Sequence, residues 1–494
     1  MLRSFCHWTL RWSSFLAIGL AGCGSGYHSG GYTAMNPLPA VTFTSPAQAT
    51  SIHFGQGLNL TWTTANATSC TASASASAAG AFTGTQMTGG SAMVVPTAPG
   101  SYTYTLNCTG SGGMGSGSSA MITVTPSVLS ALSAAQMITI GSTVDPTNMD
   151  ANPYGLAVAP ITAGLITQGD LLVCNFNDVG GTQGNGTTIV GLHPTAGSQP
   201  YHIAQSTLLQ GCNAITPLAD DSVSAAGWTS AKNPLASPAG VVSNPFTGTA
   251  ITRPWGEAYV AASGGQPALL YISNAPANAG TLQGNGTIDR ITLNGDVQSS
   301  VVEIATGFCT LGAPGSIYAP SGLTYDAAGD TLYVIDTASN SVVAIANVSA
   351  VGADGVVVNG QCAANAAPPT PALTFSGPSA ASARVVAQGS PLNTPLSAAL
   401  LADGDLIVGN ADIGAAGPGP GVNLMIEVSP VLPGGFVGLP FQADAGAPGA
   451  LFGIATAADA HGNQIIYFND DNANAVMQMG SATGATTPPG YALQ

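Results

Sequence analysis

The chain has 494 residues, only 6% of them charged, and its 22 acidic residues outnumber 6 Lys and Arg for a formal net charge of −16. Such a balance excludes nucleic-acid binding, which needs several Lys or Arg on phosphates, and electrostatic docking on anionic lipid. Hydrophobic residues (45%) suffice for real cores, 65 Gly and 34 Pro imply many tight turns, and two or three domains are expected at about 150 residues each.

Residues 1–22 carry Arg3 and Arg11, then a short apolar run from Trp12 to Ala21, and lead into Cys23 through Leu20-Ala21-Gly22. The run is far shorter than the roughly 20 apolar residues a transmembrane helix needs. A basic start, a short apolar segment and small residues before a cut make a secretory signal. Ending on Cys, it resembles a bacterial lipobox. That resemblance implies removal of the signal, a lipid on Cys23, and a cell-envelope address facing outward from the cytoplasm, tethered to a membrane. The mature chain then keeps only Lys232, Arg253, Arg290 and Arg384 as basic side chains besides histidine. Residues 23–39 are Gly/Ser-rich without apolar period and read as a flexible tether.

Residues 40–126 alternate with period two. Examples are Val41–Thr44, Leu58–Trp62, Met93–Val95, Tyr102–Leu106 and Met121–Val124, separated by Ser45-Pro46, Pro99-Gly100 and a Gly/Ser stretch. This predicts a small antiparallel sandwich. The stretch from Leu60 through Trp62 to Cys70, followed by Pro99-Gly-Ser-Tyr-Thr-Tyr-Thr-Leu-Asn-Cys108, resembles a bacterial Ig-like surface module. The resemblance implies a spacer or adhesive role and a Cys70–Cys108 bridge. Residues 127–150 read as a connector.

From 151 to 494 the chain repeats itself. Pro153-Tyr-Gly-Leu-Ala-Val, Pro254-Trp-Gly-Glu-Ala-Tyr, Pro320-Ser-Gly-Leu-Thr-Tyr, Pro395-Leu-Ser-Ala-Ala-Leu and Leu451-Phe-Gly-Ile-Ala-Thr each open a strand. A turn and a second strand follow, the latter ending in Asn175, Asn274, Asp336, Asn410 or Asp470. Third strands come next, and stretches such as Ser300–Ile304 and Gly355–Val358 are available as fourth strands. Four short antiparallel strands per repeat, radially arranged, describe a β-propeller. The pattern, clearest over 320–346, resembles NHL-repeat propellers. The fold class is therefore all-β, a small sandwich followed by a propeller. The long gap between the first two starts holds a hidden blade or an insertion across 205–250; six blades fit best and five is the alternative.

Outside the signal and Cys23 there are six cysteines, an even number that favours disulfides in an exported chain. Cys212, Cys309 and Cys362 each follow an outer strand, and Cys309–Cys362 is the first expected pair. Cys174 is either the partner of Cys212 or a buried free thiol.

The residues after the repeat-start Pro, Tyr154 and Trp255, with Phe452 at the matching place, fall near one end of the innermost strands. Such a ring can stack on a flat ligand or a sugar, or simply plug the channel. The strand-end Asn and Asp suit loop capping. Asp470, Asp471, Asn472 and Asn474 form the densest oxygen cluster, weakly suggestive of Ca²⁺ or another divalent metal, without the Gly and Glu of an EF-hand. Glu257 stands on a first strand near the channel and is a further metal candidate. Asp220-Asp221 and the scattered His193, His202 and His461 show no partner, and no nucleophile elbow is present. The leading expectation is a surface binding protein without a cofactor, taking a glycan, a peptide or another envelope protein. The alternatives are a metal-dependent lactonase- or lyase-like propeller enzyme, and a structural envelope protein without ligand.

Overall fold

The computed structural model describes residues 35–480 except 55, 134–136, 249, 278–281, 313–317, 360–361, 363–372 and 433. The signal, Cys23 and most of the tether lie outside the described residues. No helix among the described residues is long and apolar enough to cross a membrane.

Alternating side chains over 40–125 fold into three small sheets around one core. One joins Ala40–Ser45, Leu58–Ala65 and Gly90–Val94; a second joins Thr50–His53, Ile122–Thr125 and Gly100–Tyr102. The third joins Gly84–Gln86, Ser69–Ala74, Tyr104–Gly110 and Gly113–Ser118. Leu60, Trp62, Phe82, Tyr104 and Ile122 fill the centre, with Phe82 edge-on to both Trp62 and Tyr104 at 5.6 Å. Cys70 and Cys108 are bridged, and they lie directly opposite one another on neighbouring strands of one sheet. The bridge that fastens an immunoglobulin domain instead joins its two sheets.

Six four-stranded antiparallel blades follow, one of them extended. Blade 1 is Ala151–Val158, Leu171–Asn177, Thr188–Leu192 and Tyr201–Gln205. Blade 2 is Cys212–Pro217, Val223–Gly227, Asn233–Ala236 and Val242–Phe246, so the stretch 205–250 is a blade and not an insertion. Blade 3 runs Pro254–Val260, Ala268–Asn274, Gln283–Asn294 and Val297–Thr310. Blade 4 is Pro320–Asp326, Thr331–Asp336, Ser341–Ala346 and Ala383–Gln388. Blade 5 is Pro395–Leu400, Leu406–Asn410, Leu424–Val428 and Phe436–Gln442. Blade 6 is Ile454–Ala458, Gln464–Asp470 and Ala475–Met479, and its outermost strand is Ile138–Ser142 from the connector. The first strand of each blade touches that of the next, and blade 6 returns to blade 1, closing the ring. One expectation is displaced: Val356–Asn359 adds to the outer edge of blade 3, parallel to Val297–Thr310, and the fourth strand of blade 4 is Ala383–Gln388.

Each blade is buried on both faces, so its strands are apolar in both phases. In Thr331–Asp336, Leu332 and Val334 pack toward blade 3 while Tyr333 and Ile335 pack toward blade 5. Every pair of adjacent blades encloses such a layer. Pro-x-Gly has a matching cause. The ladder between first and second strands slips at Pro153/Leu156, Pro254/Glu257 and Pro320/Leu323, which is a β-bulge. There the next blade comes very close: a Cβ on Gly256 would lie 2.0 Å from the Ser321 carbonyl oxygen, and one on Gly453 would lie 2.5 Å from that of Tyr154.

Three disulfides, Cys70–Cys108, Cys174–Cys212 and Cys309–Cys362, are formed. They indicate an oxidising, extracytoplasmic compartment. Cys212 follows an outer strand but itself opens the inner strand of blade 2, so its bond to Cys174 staples blades 1 and 2.

Candidate functional site

Successive residues of the inner strands line successive depths of the central channel. The residues of the Pro-x-Gly bulge face one mouth, the next two or three the middle, and the last residues the opposite mouth.

At the first mouth lies a cleft of about 310 Å³ lined by Tyr154, Trp255, Phe452, Asp412 and Asp471, among others. The structure thus brings together the three aromatic residues singled out from the repeat. Phe452 stacks on Tyr154 at 3.7 Å, and Tyr154 stacks on Phe176 at 4.1 Å. Trp255 meets Tyr154 edge-on at 6.3 Å. Tyr154 is 2% exposed and Trp255 6%, whereas Phe452 is half-buried. Trp228 and Phe176, which repeat alignment did not pick out, belong to the same cluster. The aromatics therefore plug the channel, and Phe452 is their outward ring.

The Asp470–Asn474 turn abuts this cleft, but its residues diverge. Asp470 accepts from the Ala473 N–H at 3.2 Å. The Asn472 amide nitrogen donates to Asp444 and to the Ala447 carbonyl, and Asn474 Oδ1 accepts from the Asn152 N–H at 2.7 Å. Asp471 alone of the turn lines the cleft. Burial and then the neighbouring Asp470 push its carboxyl up to about 7, and burial, followed by the Asp471 charge, raises the Tyr154 hydroxyl well above its usual range. The Asn152 amide, turned with its nitrogen toward Asp471, donates to that carboxylate. Asp412 is raised by burial, and both its oxygens are engaged: Oδ1 by Asn393 Nδ2 at 2.8 Å and Oδ2 by the Asn423 N–H at 2.6 Å.

Beneath the aromatic plug sits a chamber of about 80 Å³ whose lining includes Asn213, Glu257 and Ser397 among mostly apolar residues. Glu257 Oε1 accepts from the Ser224 hydroxyl at 2.9 Å, while Glu257 Oε2, Asn213 Oδ1 and Ser397 Oγ are buried without a hydrogen-bond partner among the described residues. Burial pushes Glu257 up to about 8, against the lowering effect of Asn233 and Ser224. Asn213 was missed because blade 2 shows no Pro-x-Gly start; Ser397 stands at the Gly position of the aligned Pro395-Leu-Ser start and was passed over. The opposite mouth opens into a basin of about 630 Å³ lined by residues of several blades, among them Val158, Thr216, Tyr259, Leu400 and Ala457.

The strand-end polar residues hold incoming loops. Asn175 donates to the Thr143 carbonyl at 2.9 Å, Asn274 accepts from the Thr252 N–H at 3.0 Å, and Asn410 accepts from the Asn393 N–H at 3.0 Å. Asp336 is bonded to Ser339 and the Ala338 N–H. Asp220 caps its own turn through Ser222, and Asp221 is buried, its carboxyl raised to about 6 chiefly by burial. Two histidines do find partners: His193 and Tyr201 share the buried Asp170, each at 2.6 Å, and His202 meets Asp145 at 2.7 Å.

Among the described residues, one group of three carboxylates has its oxygens within metal-binding reach of one another: Asp403, Asp405 and Glu427. It includes neither Glu257 nor Asp470 and Asp471. Glu427 accepts from the Val128 and Leu129 N–H groups at 3.1 and 2.6 Å and so caps the connector helix Val128–Ser133. Sequence spacing offered no sign of this, since the partners are some 300 positions apart.

No family model matches the chain, and no curated protein matches it. Solved structures do. The virginiamycin B lyase of Staphylococcus aureus is 15% identical with a TM-score of 0.38, covering 70% of this chain and 98% of its own. A gluconolactonase of Xanthomonas campestris is 13% identical with a TM-score of 0.42, covering 69% of this chain and 88% of its own. A luciferin-regenerating enzyme is 10% identical with a TM-score of 0.41, covering 72% of this chain and 98% of its own. Likeness at this level says nothing of activity, and the chain is identified here by architecture alone, an all-β protein with a six-bladed propeller.

Proposed function

We propose that the protein is an envelope binding protein, held to a bacterial membrane through a lipid on Cys23, whose propeller takes its ligand in the cleft at the plugged end of the channel. The Ig-like module acts as a spacer that holds the propeller outward. The observation that carries the binding reading is the cleft itself. Its floor is an aromatic stack whose outermost ring, Phe452, stays half-exposed, and its wall carries Asp471. Concave sites with apolar floors and a few placed polar groups are the usual form of ligand pockets. A glycan, a peptide or a segment of another envelope protein is the ligand class to screen. A ligand so found is expected to lose at least about tenfold in affinity with Phe452→Ala, and likewise with Trp255→Ala. Unchanged affinity in both variants, measured by calorimetry on folded protein, removes the aromatic floor from the binding site.

A second reading rests on the chamber below. Three of its lining residues, Glu257, Asn213 and Ser397, each carry a buried oxygen without a partner among the described residues, and oxygen is the donor type of a hard cation such as Ca²⁺. Glu257, Asn213 and Ser397 would hold the metal, which would supply Lewis-acid chemistry. A metal that binds only the native state raises the unfolding midpoint. Thermal unfolding in EDTA and then in Ca²⁺, Mg²⁺, Mn²⁺ or Zn²⁺ decides this reading: a rise abolished by Glu257→Gln supports it, and no rise with any of them eliminates it.

A further inference from the structure

The lining of the cleft combines aromatic rings with carboxyl groups and contains no Lys, Arg or His. Phe452 has one face covered by Tyr154 at 3.7 Å, and its other face has no aromatic partner among the described residues. Asp412 has both oxygens engaged by Asn393 and the Asn423 N–H, whereas Asp471 is met within the fold by the neutral Asn152 amide and stands beside the like-charged Asp470. The cleft thus presents a π face and a carboxylate lacking a counter-charge. A neighbouring ring of the same plug already carries a cation: the Arg253 guanidinium lies 4.6 Å from the centre of Trp228 and donates to the Trp228 carbonyl. Cations are drawn to aromatic faces by the ring quadrupole, more strongly where water is excluded. The whole chain, at a formal −16, adds a long-range field of the same sign.

We propose that the cleft recognises an organic cation, an ammonium group seated over Phe452 and beside Asp471. This rests on the binding reading above and names its ligand class. A cavity of about 310 Å³ leaves room for a substituent on that group. A free amine, a methylated amine or a choline-like headgroup on a peptide, glycan or lipid would present it. An anionic ligand finds no cationic side chain among the lining residues.

The test uses choline and its uncharged carbon isostere 3,3-dimethylbutan-1-ol, titrated calorimetrically at pH 8 and low salt. Choline is expected to bind at least about tenfold more tightly than the alcohol. Asp471→Asn is expected to weaken choline by about tenfold and leave the alcohol unchanged. Phe452→Leu, which keeps the apolar volume and removes the π face, should likewise cost choline its advantage. Unfolding midpoints near that of the parent show that the variants are folded. Equal binding of choline and the alcohol, or no effect of Asp471→Asn, overturns the cation assignment while leaving the cleft as a binding site. Binding of neither probe, with a screened glycan or peptide that is sensitive to Phe452→Ala, overturns the cation assignment alone. Binding of nothing at all overturns both.

Discussion

Glu257 shows how little a residue type says before its surroundings are known. In the sequence it is one acid in a first strand. In the fold it is 7% exposed and lines a small chamber, with one oxygen bonded to Ser224 and the other buried without a partner among the described residues. Burial raises it from 4.5 to about 8, so the folded state holds a proton that the unfolded state has released. Between those values the native state binds more protons, and stability falls as pH rises; below 4.5 and above 8 the contribution is level. Glu257→Gln removes this slope. In EDTA, the variant's stability relative to the parent should therefore rise between pH 5 and pH 8, by about 3–4 kcal/mol. Denaturant unfolding at the two pH values checks this, and parallel curves would mean that Glu257 is ionised in the fold. Asp471 differs in kind: it lines an open cleft and has Asp470 next to it, so a ligand can reach it directly.

At the scale of the strand and its turn, the Pro-x-Gly repeat has a steric origin. The bulge brings the first strand of one blade against the backbone of the next, and a side chain at the Gly position has no room. Gly256 is the tightest of these sites, where an added Cβ would fall 2.0 Å from the Ser321 oxygen, whereas nothing lies within 4 Å of one on Gly352. Gly256→Ala is expected to cost about 1–3 kcal/mol or more, and Gly352→Ala less than about 0.5 kcal/mol. Equal unfolding midpoints for the two would overturn the close-packing account. The same geometry explains the degenerate copies. Blade 2 has Ala214 and blade 5 has Ser397 where others have Gly, both small enough to keep the strands close. Blade 2 has neither Pro nor Gly at its start and showed only as a long gap, which left an insertion across 205–250 as the alternative to a sixth blade.

For the whole molecule, closure is what turns repeats into a site. The connector contributes twice: Ile138–Ser142 completes blade 6, and the helix Val128–Ser133 is pinned to blade 5 by Glu427. Leu129 joins the core between blades 5 and 6, so the chain ahead of the propeller is packed onto it. A reading from local pattern alone has no access to such pairings, which join residues hundreds of positions apart. What the sequence determined by itself was the class of structure. Period-two alternation, turn residues at regular spacing and recurring strand starts make an all-β chain with a propeller, because strand formation and local turns depend on neighbours in the chain. The pairing of Cys309 with Cys362 was expected from equivalent places on neighbouring blades; the bond forms, but within blade 3, because Val356–Asn359 adds to its outer strand Val297–Thr310, which contains Cys309. Only the tertiary structure decided that blade 2 exists and that Tyr154, Trp255 and Phe452 close the channel as a plug. It alone separated Asp471 from its turn mates and brought Glu257, Asn213 and Ser397 into the lining of one chamber. Those outcomes depend on which side chains the closed ring brings within a few ångströms, and on how much water it removes from them.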